Sequence, residues 1–212
     1  AKHATNLIDY CWGDPDSSNA TQAEWAAKRV ENGHSAPFNL NYVGIGNENW
    51  NDTAKTISYR DNFIWIKNYV EKYVKENYPG RKITLISSTG PYYQGGQNTE
   101  AWNWINQDIP GETLVDEHYY VNYTNDANNT LLNDDYVYDG YKRLKDGGSN
   151  VFVGEYAGHI SATTENVLDT AISEAAYMTG LERNGDIVRH ASYAPLFEKE
   201  GCRDRKSTRL NS

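Results

Sequence analysis

The sequence predicts an α/β fold of parallel strands joined by crossover helices. Two observations carry that prediction: strand-like apolar runs recur at near-constant spacing, and amphipathic helical patterns lie between them. The runs cover residues 42–46, 83–87, 114–120, 151–154 and 187–193, and they start 41, 31, 37 and 36 residues apart. After the first run, Phe63, Ile66, Val70, Tyr73 and Val74 fall on one helical face, and Tyr78, Pro79 and Gly80 stop that helix. A weaker helix covers 99–107, and a polar one lies around 134–145, after an Asn-rich loop at 122–133. Leu168, Ile172, Ala175, Met178 and Leu181 mark the apolar face of a further helix, closed by the Asn184-Gly185 turn. A β-α unit repeated at this spacing is what right-handed crossovers between parallel strands require.

The charge balance narrows the function classes. The chain has 212 residues, with 29 acidic against 20 basic side chains and a formal charge of −9. That balance excludes nucleic acid and anionic membrane surfaces as partners. No apolar run approaches the roughly 18 residues of a membrane span, and no signal-peptide pattern opens the chain. Cys11 and Cys202 are too few for a disulfide framework or a structural zinc site. Cys11, ahead of Trp12, Gly13 and Asp14 in what reads as a loop, is a packing residue. Aromatic residues make up 13% of the chain, with 17 tyrosines, a composition suited to stacking on a neutral polar ligand such as a sugar. Residues 198–212 differ from the rest: five basic and three acidic side chains and no aromatic, in a run that reads as translated adaptor or vector sequence. Without it, the formal charge of 1–197 is −11.

Chemistry concentrates where apolar runs meet polar residues, because parallel α/β folds place their sites at the C-terminal ends of strands. The first run ends in Asn47, Glu48, Asn49 and Trp50, an amide beside a carboxyl that can bind a hydroxyl and exchange a proton. The fourth run ends in Gly154 and Glu155, where glycine allows close backbone approach. On a closed barrel two such tips face each other across the mouth, the arrangement that glycoside hydrolysis uses. On the third run, strand alternation puts Asp116, His118 and Tyr120 on one face and Glu117 and Tyr119 on the other. Facing inward, Tyr120 would orient a nucleophile and His118 would meet substrate or tune the acid. No phosphate-binding glycine loop, G-x-S-x-G elbow or H-E-x-x-H motif is present, and His34, His159 and His190 lack metal-like spacing. Asn19, Asn51, Asn122 and Asn128 stand in glycosylation sequons.

At these residues the sequence resembles glycoside hydrolase family 51, the α-L-arabinofuranosidases, from about Leu7 to Phe197. The resemblance is carried by 7–11, 32–34 with 37–39, 42–49, 115–120, 152–156, 175–184 and 191–197. Asn47-Glu48 is shared with a wider clan of retaining barrel glycosidases, whereas the runs 178–184 and 193–197 are narrower. The family implies a partial (β/α)₈ barrel, about strands 4 to 8 with their helices, over 1–197, followed by the non-native tail 198–212. It implies Glu48 as acid/base, Glu155 as nucleophile, Asn47 on the sugar 2-hydroxyl, His118 and Tyr120 lining the pocket and Trp50 stacking on substrate. Strands 1 to 3 would precede residue 1, and a C-terminal β-sandwich would follow strand 8. The implied activity is retaining release of terminal α-L-arabinofuranosyl groups from arabinose-containing polysaccharides or oligosaccharides, with no metal or organic cofactor. The full-length form would be extracellular, and a homo-oligomer is compatible with it. Two alternatives remain: an endoglucanase or β-xylosidase of the same clan, or an inactive fragment with at best weak sugar binding.

Overall fold

The computed structural model describes residues 1–49, 58–89, 96–123, 137–139, 148–160, 168–194 and 196. Trp50, the tail 198–212 and most of the polar helix expected at 134–145 lie outside them; within that expected helix, 137–139 form a turn. The chain divides into two compact units, Ala1–Ser87 and Ser88–Ser212.

The first unit opens with two helices that the sequence reading did not anticipate, α1 (Lys2–Trp12) and α2 (Ala20–Glu31). Cys11 therefore lies in a helix rather than a loop, although it is buried as a packing residue would be. The helices escaped notice because their inward faces are partly polar. On α1, Thr5 and Asp9 are buried with Ile8 and Trp12; on α2, Gln22 and Arg29 are buried with Ala26. Each buried charge finds hydrogen-bond partners, most of them distant in sequence. Asp9 accepts from the hydroxyls of Tyr73 (2.8 Å) and Tyr78 (2.6 Å). The Arg29 guanidinium donates to the carbonyls of Tyr10, Gly13, His34 and Ser35, at 2.9 to 3.3 Å. Asn19 caps α2 by accepting from the Thr21 and Gln22 amides.

Strand β1 (Tyr42–Ile45) then pairs in parallel with β2 (Thr84–Ser88), Tyr42 opposite Thr84 and Ile45 opposite Ser87. The crossover between them contains α3 (Tyr59–Asn77), capped by Ser58 and buried along Phe63, Lys67, Val70 and Val74. The expected apolar face holds, with the stem of Lys67 running under it to an ion pair with Glu71 (2.9 Å).

In the second unit, α4 (Gly96–Asp108) precedes three parallel strands in chain order: β3 (Thr113–Tyr123), β4 (Asn150–Ile160) and β5 (Val188–Tyr193). Between β4 and β5 runs α5 (Leu168–Arg183). Its packing corrects the expected apolar face. Leu168, Ile172 and Met178 are exposed at 74%, 50% and 44%, while Thr170, Ser173, Glu174, Tyr177 and Leu181 are buried. The polar inner face is matched to the strands. Glu174 Oε1 accepts from the Gly158 amide (2.8 Å) on β4 and from the Tyr193 hydroxyl (3.2 Å) on β5. Gly158 has no Cβ because Thr170 Cγ2 would lie 2.8 Å from one.

Candidate active site

The acid/base candidate belongs to the first unit. β1 ends at Ile45, and the chain leaves it through Gly46, at φ 89°, and Glu48, at φ 51°. A glutamate in the left-handed region is strained by about 1–2 kcal/mol, which the surrounding contacts must hold. Two of them are visible: Asn49 Oδ1 accepts from the Asn47 amide (2.8 Å), and the Tyr59 hydroxyl donates to the Ile45 carbonyl (2.7 Å). Asn49 fills the space that a side chain at residue 46 would need, so Gly46 is required twice, for its φ and for that close approach. Glu48 is half-buried and Asn47 exposed, side by side on this turn.

The nucleophile candidate belongs to the second unit, and the strand pairing decides where it points. Glu117 pairs with Val153, but His118 pairs with Glu155, so β4 carries one extra residue, Gly154, at a β-bulge. Simple alternation would put Glu155 on the face of Val153 and Glu117. The bulge reverses that parity and turns Glu155 to the face of Asp116, His118 and Tyr120. There the Tyr120 hydroxyl donates a short hydrogen bond to Glu155 Oε2. His118 Nδ1 lies 3.7 Å from the same oxygen, and His118 Nε2 lies 3.3 Å from Asp116 Oδ2. The His118 side chain is only 2% exposed, that of Asp116 13% and that of Glu155 29%, so the cluster opens to solvent at the carboxylate of Glu155. This corrects the expected placement of Glu155 just past its strand. β4 continues to Ile160 and β3 to Tyr123, which makes Glu155 an interior strand residue aimed by the bulge.

The opposite face of β3 carries a different carboxylate. Glu117 is fully buried and accepts from four neutral side chains among the described residues: Asn98 Nδ2 and Trp102 Nε1 on Oε1, both at 2.8 Å, and the Tyr119 (2.9 Å) and Tyr138 (2.8 Å) hydroxyls on Oε2. A carboxylate accepting four hydrogen bonds from four side chains ties α4, β3 and the turn at 137–139 together, and it has no open side for a substrate. The two faces of β3 thus divide as the alternation predicts, Glu117 with Tyr119 and Asp116 with His118 and Tyr120. Sequence reasoning passed over Asp116 itself. Its signal was there, an acid two residues before the histidine on the same strand face.

Of the expected site residues, Glu155, His118 and Tyr120 come together in the second unit, Asn47 and Glu48 share a turn in the first, and Trp50 lies outside the described residues. The arrangement around Glu155 suits a nucleophile: one carboxylate oxygen is held by a phenol and faced by an imidazole, and the carboxylate remains reachable.

Comparison with known proteins bears on the fold and the family. The fold is that of a solved family 51 arabinofuranosidase from Xanthomonas axonopodis pv. citri, with a TM-score of 0.65 at 17% identity over 91% of this chain and 43% of that one. A family 51 α-L-arabinofuranosidase from Bifidobacterium longum gives the same TM-score over 45% of its length. That likeness shows the fold, a partial (β/α)₈ barrel. An extracellular exo-α-L-arabinofuranosidase of Streptomyces chartreusis is 39% identical over 92% of this chain and 20% of its own length. An Arabidopsis thaliana α-L-arabinofuranosidase is 33% identical over 92% of this chain and 24% of its own length. The chain thus spans about a fifth to a quarter of these relatives. The model of the α-L-arabinofuranosidase 1 domain matches residues 1–143, and that of the α-L-arabinofuranosidase C-terminal domain matches 154–204. On these matches, the chain belongs to the α-L-arabinofuranosidase family of glycoside hydrolases.

Proposed function

We propose that this chain supplies the two catalytic glutamates of a retaining exo-acting α-L-arabinofuranosidase. The observation that carries the reading is the bulge at Gly154, which puts Glu155 under the Tyr120 hydroxyl on the face it shares with His118. Glu155 attacks the anomeric carbon as Glu48, protonated, gives its proton to the departing glycosidic oxygen. Glu48 then removes a proton from water, which attacks the anomeric carbon, displaces Glu155 and releases arabinose with its configuration retained. Asn47, next to Glu48, holds the sugar 2-hydroxyl, His118 and Tyr120 line the sugar pocket, and Trp50 stacks on substrate. Retention requires the two carboxyl groups about 5–5.5 Å apart, a separation that a structure with a bound inhibitor would test directly.

The substrates are arabinose-bearing polysaccharides or oligosaccharides, on the strength of the family and of relatives that are named as arabinofuranosidases. Residues 1–197 act as the catalytic barrel segment and 198–212 as a non-native tail. Turnover needs the remainder of the barrel, so the 212 residues alone are inactive. The full-length enzyme works outside the cell, as the Streptomyces chartreusis relative is described, and no described helix is long and apolar enough to cross a membrane. The discriminating assay uses aryl glycosides with a complete barrel carrying these residues. Hydrolysis of the α-L-arabinofuranoside, with the β-xyloside and β-glucoside spared, supports the reading; preference for either of the others replaces it. Glu48→Gln should lower the rate by about 10²–10⁴-fold, least for substrates whose leaving group needs no proton.

A further inference from the structure

Asp116 has no role in the chemistry above, yet its geometry is specific. Its backbone carbonyl is fixed by the Thr89 amide (3.0 Å) and hydroxyl (2.6 Å). Its Oδ2 faces His118 Nε2 at 3.3 Å, and its Oδ1 is buried without a hydrogen-bond partner among the described residues. Gly154 lies so close that a Cβ there would overlap Oδ1 and come 2.9 Å from Cγ. The residue that bulges β4 is therefore the one that lets Asp116 sit beneath the histidine.

The imidazole stands between two carboxylates, Asp116 at one ring nitrogen and Glu155 at the other. A neutral ring would have to turn one lone pair toward an anionic oxygen. A ring protonated on both nitrogens presents N–H to each and offsets a buried carboxylate that otherwise lacks a donor on one oxygen. We propose that Asp116 is a positioning residue that holds His118 doubly protonated, with Nδ1–H directed at Oε2 of Glu155. This role rests on Glu155 being the nucleophile. The Tyr120 hydroxyl and the His118 Nδ1–H then converge on Oε2, while Oε1, which takes part in neither contact, is the oxygen that attacks. The Tyr120 hydrogen bond, with the imidazolium facing the same oxygen at 3.7 Å, fixes the carboxylate plane before substrate arrives. When the glycosyl ester forms through Oε1, Oε2 becomes its carbonyl oxygen and keeps both donors. No proton moves from the histidine in this step.

The test is the protonation state of His118, read by nitrogen-15 NMR of histidine-labelled chain at neutral pH and assigned by loss of its signals in His118→Gln. Both ring nitrogens of the wild type should carry protons. In Asp116→Asn, which keeps the shape and removes the charge, the ring should lose one proton and become neutral. A singly protonated ring in the wild type overturns the proposal without recourse to any variant, as does a doubly protonated ring that persists in Asp116→Asn. The kinetic arm uses a complete barrel: Asp116→Asn should lower kcat about tenfold or more with KM within about twofold. A rise in KM at constant kcat would instead make Asp116 a substrate-binding or merely structural residue. Absence of activity in the wild-type barrel would refute the enzymatic reading and leave the ring measurement standing.

Discussion

At Gly154, one hydrogen atom decides the direction of Glu155. Any side chain there would press on Asp116 and on Phe152, whose Cε1 would lie 3.1 Å from the new Cβ. Gly154→Ala should therefore disturb the bulge and lower kcat by at least about tenfold in a complete barrel, while far-UV circular dichroism stays unchanged. The buried carboxylate of Glu117 should behave in the opposite way. Truncating it leaves four buried donors without their acceptor, so Glu117→Ala should cost about 3 kcal/mol or more in urea unfolding, and Glu117→Gln clearly less. At this scale the sequence was informative wherever the two-residue strand period held. His118 and Tyr120 could be placed on one face by counting, and so could Glu117 on the other. Glu155 could not, because counting from Val153 gives the wrong parity, and only the glycine before it hints at an extra residue. The strain at Glu48 was equally silent, since nothing in the letters Asn-Glu-Asn specifies a left-handed glutamate.

Elements became legible to the extent that their buried faces were apolar. α3 buries Phe63, Val70 and Val74 and was readable from spacing alone. α1 and α2 bury Asp9 and Arg29, whose satisfaction depends on residues distant in sequence, and no periodicity revealed them. α5 misled over most of its length, because Leu168, Ile172, Ala175 and Met178 of the expected stripe are exposed, Leu181 alone of the five is buried, and the buried face carries Ser173, Glu174 and Tyr177. Ile172→Ser, at a 50% exposed site, should change stability by about 0.5 kcal/mol or less, whereas Tyr177→Ala, at a 1% exposed site, should cost about 3–5 kcal/mol. The contact of α1 with α3 through Asp9 has a pH signature. Burial first, and then the Asp9 carboxylate, push the Tyr73 and Tyr78 phenols above their ordinary range. The folded first unit thus keeps protons that an unfolded chain releases near pH 10, so this part of its stability is complete below about pH 10 and falls as pH rises further. Tyrosinate absorbance of these two residues should appear together with unfolding, not before it.

For the molecule as a whole, a strand rhythm near 36 residues implies that an eightfold barrel is longer than this chain, and the relatives agree in being four to five times its length. The acidic balance of −9 fits a neutral glycan better than any polyanion. Fold class was legible because the β-α repeat survives in the sequence, and the family because the runs at 42–49, 115–120 and 152–156, and more narrowly 178–184 and 193–197, survive as contiguous words. The way in which side chains converge on Glu155 was not, since it depends on strand register. The central claim is that Glu155 is the nucleophile, and covalent trapping tests it most directly. A complete barrel carrying these residues would be treated with a slowly turned-over 2-deoxy-2-fluoro-α-L-arabinofuranosyl donor, digested and mapped by mass spectrometry. The account predicts a single glycosyl ester on the peptide containing Glu155, absent in Glu155→Gln; an ester on another carboxylate, or inactivation without any ester, would contradict it.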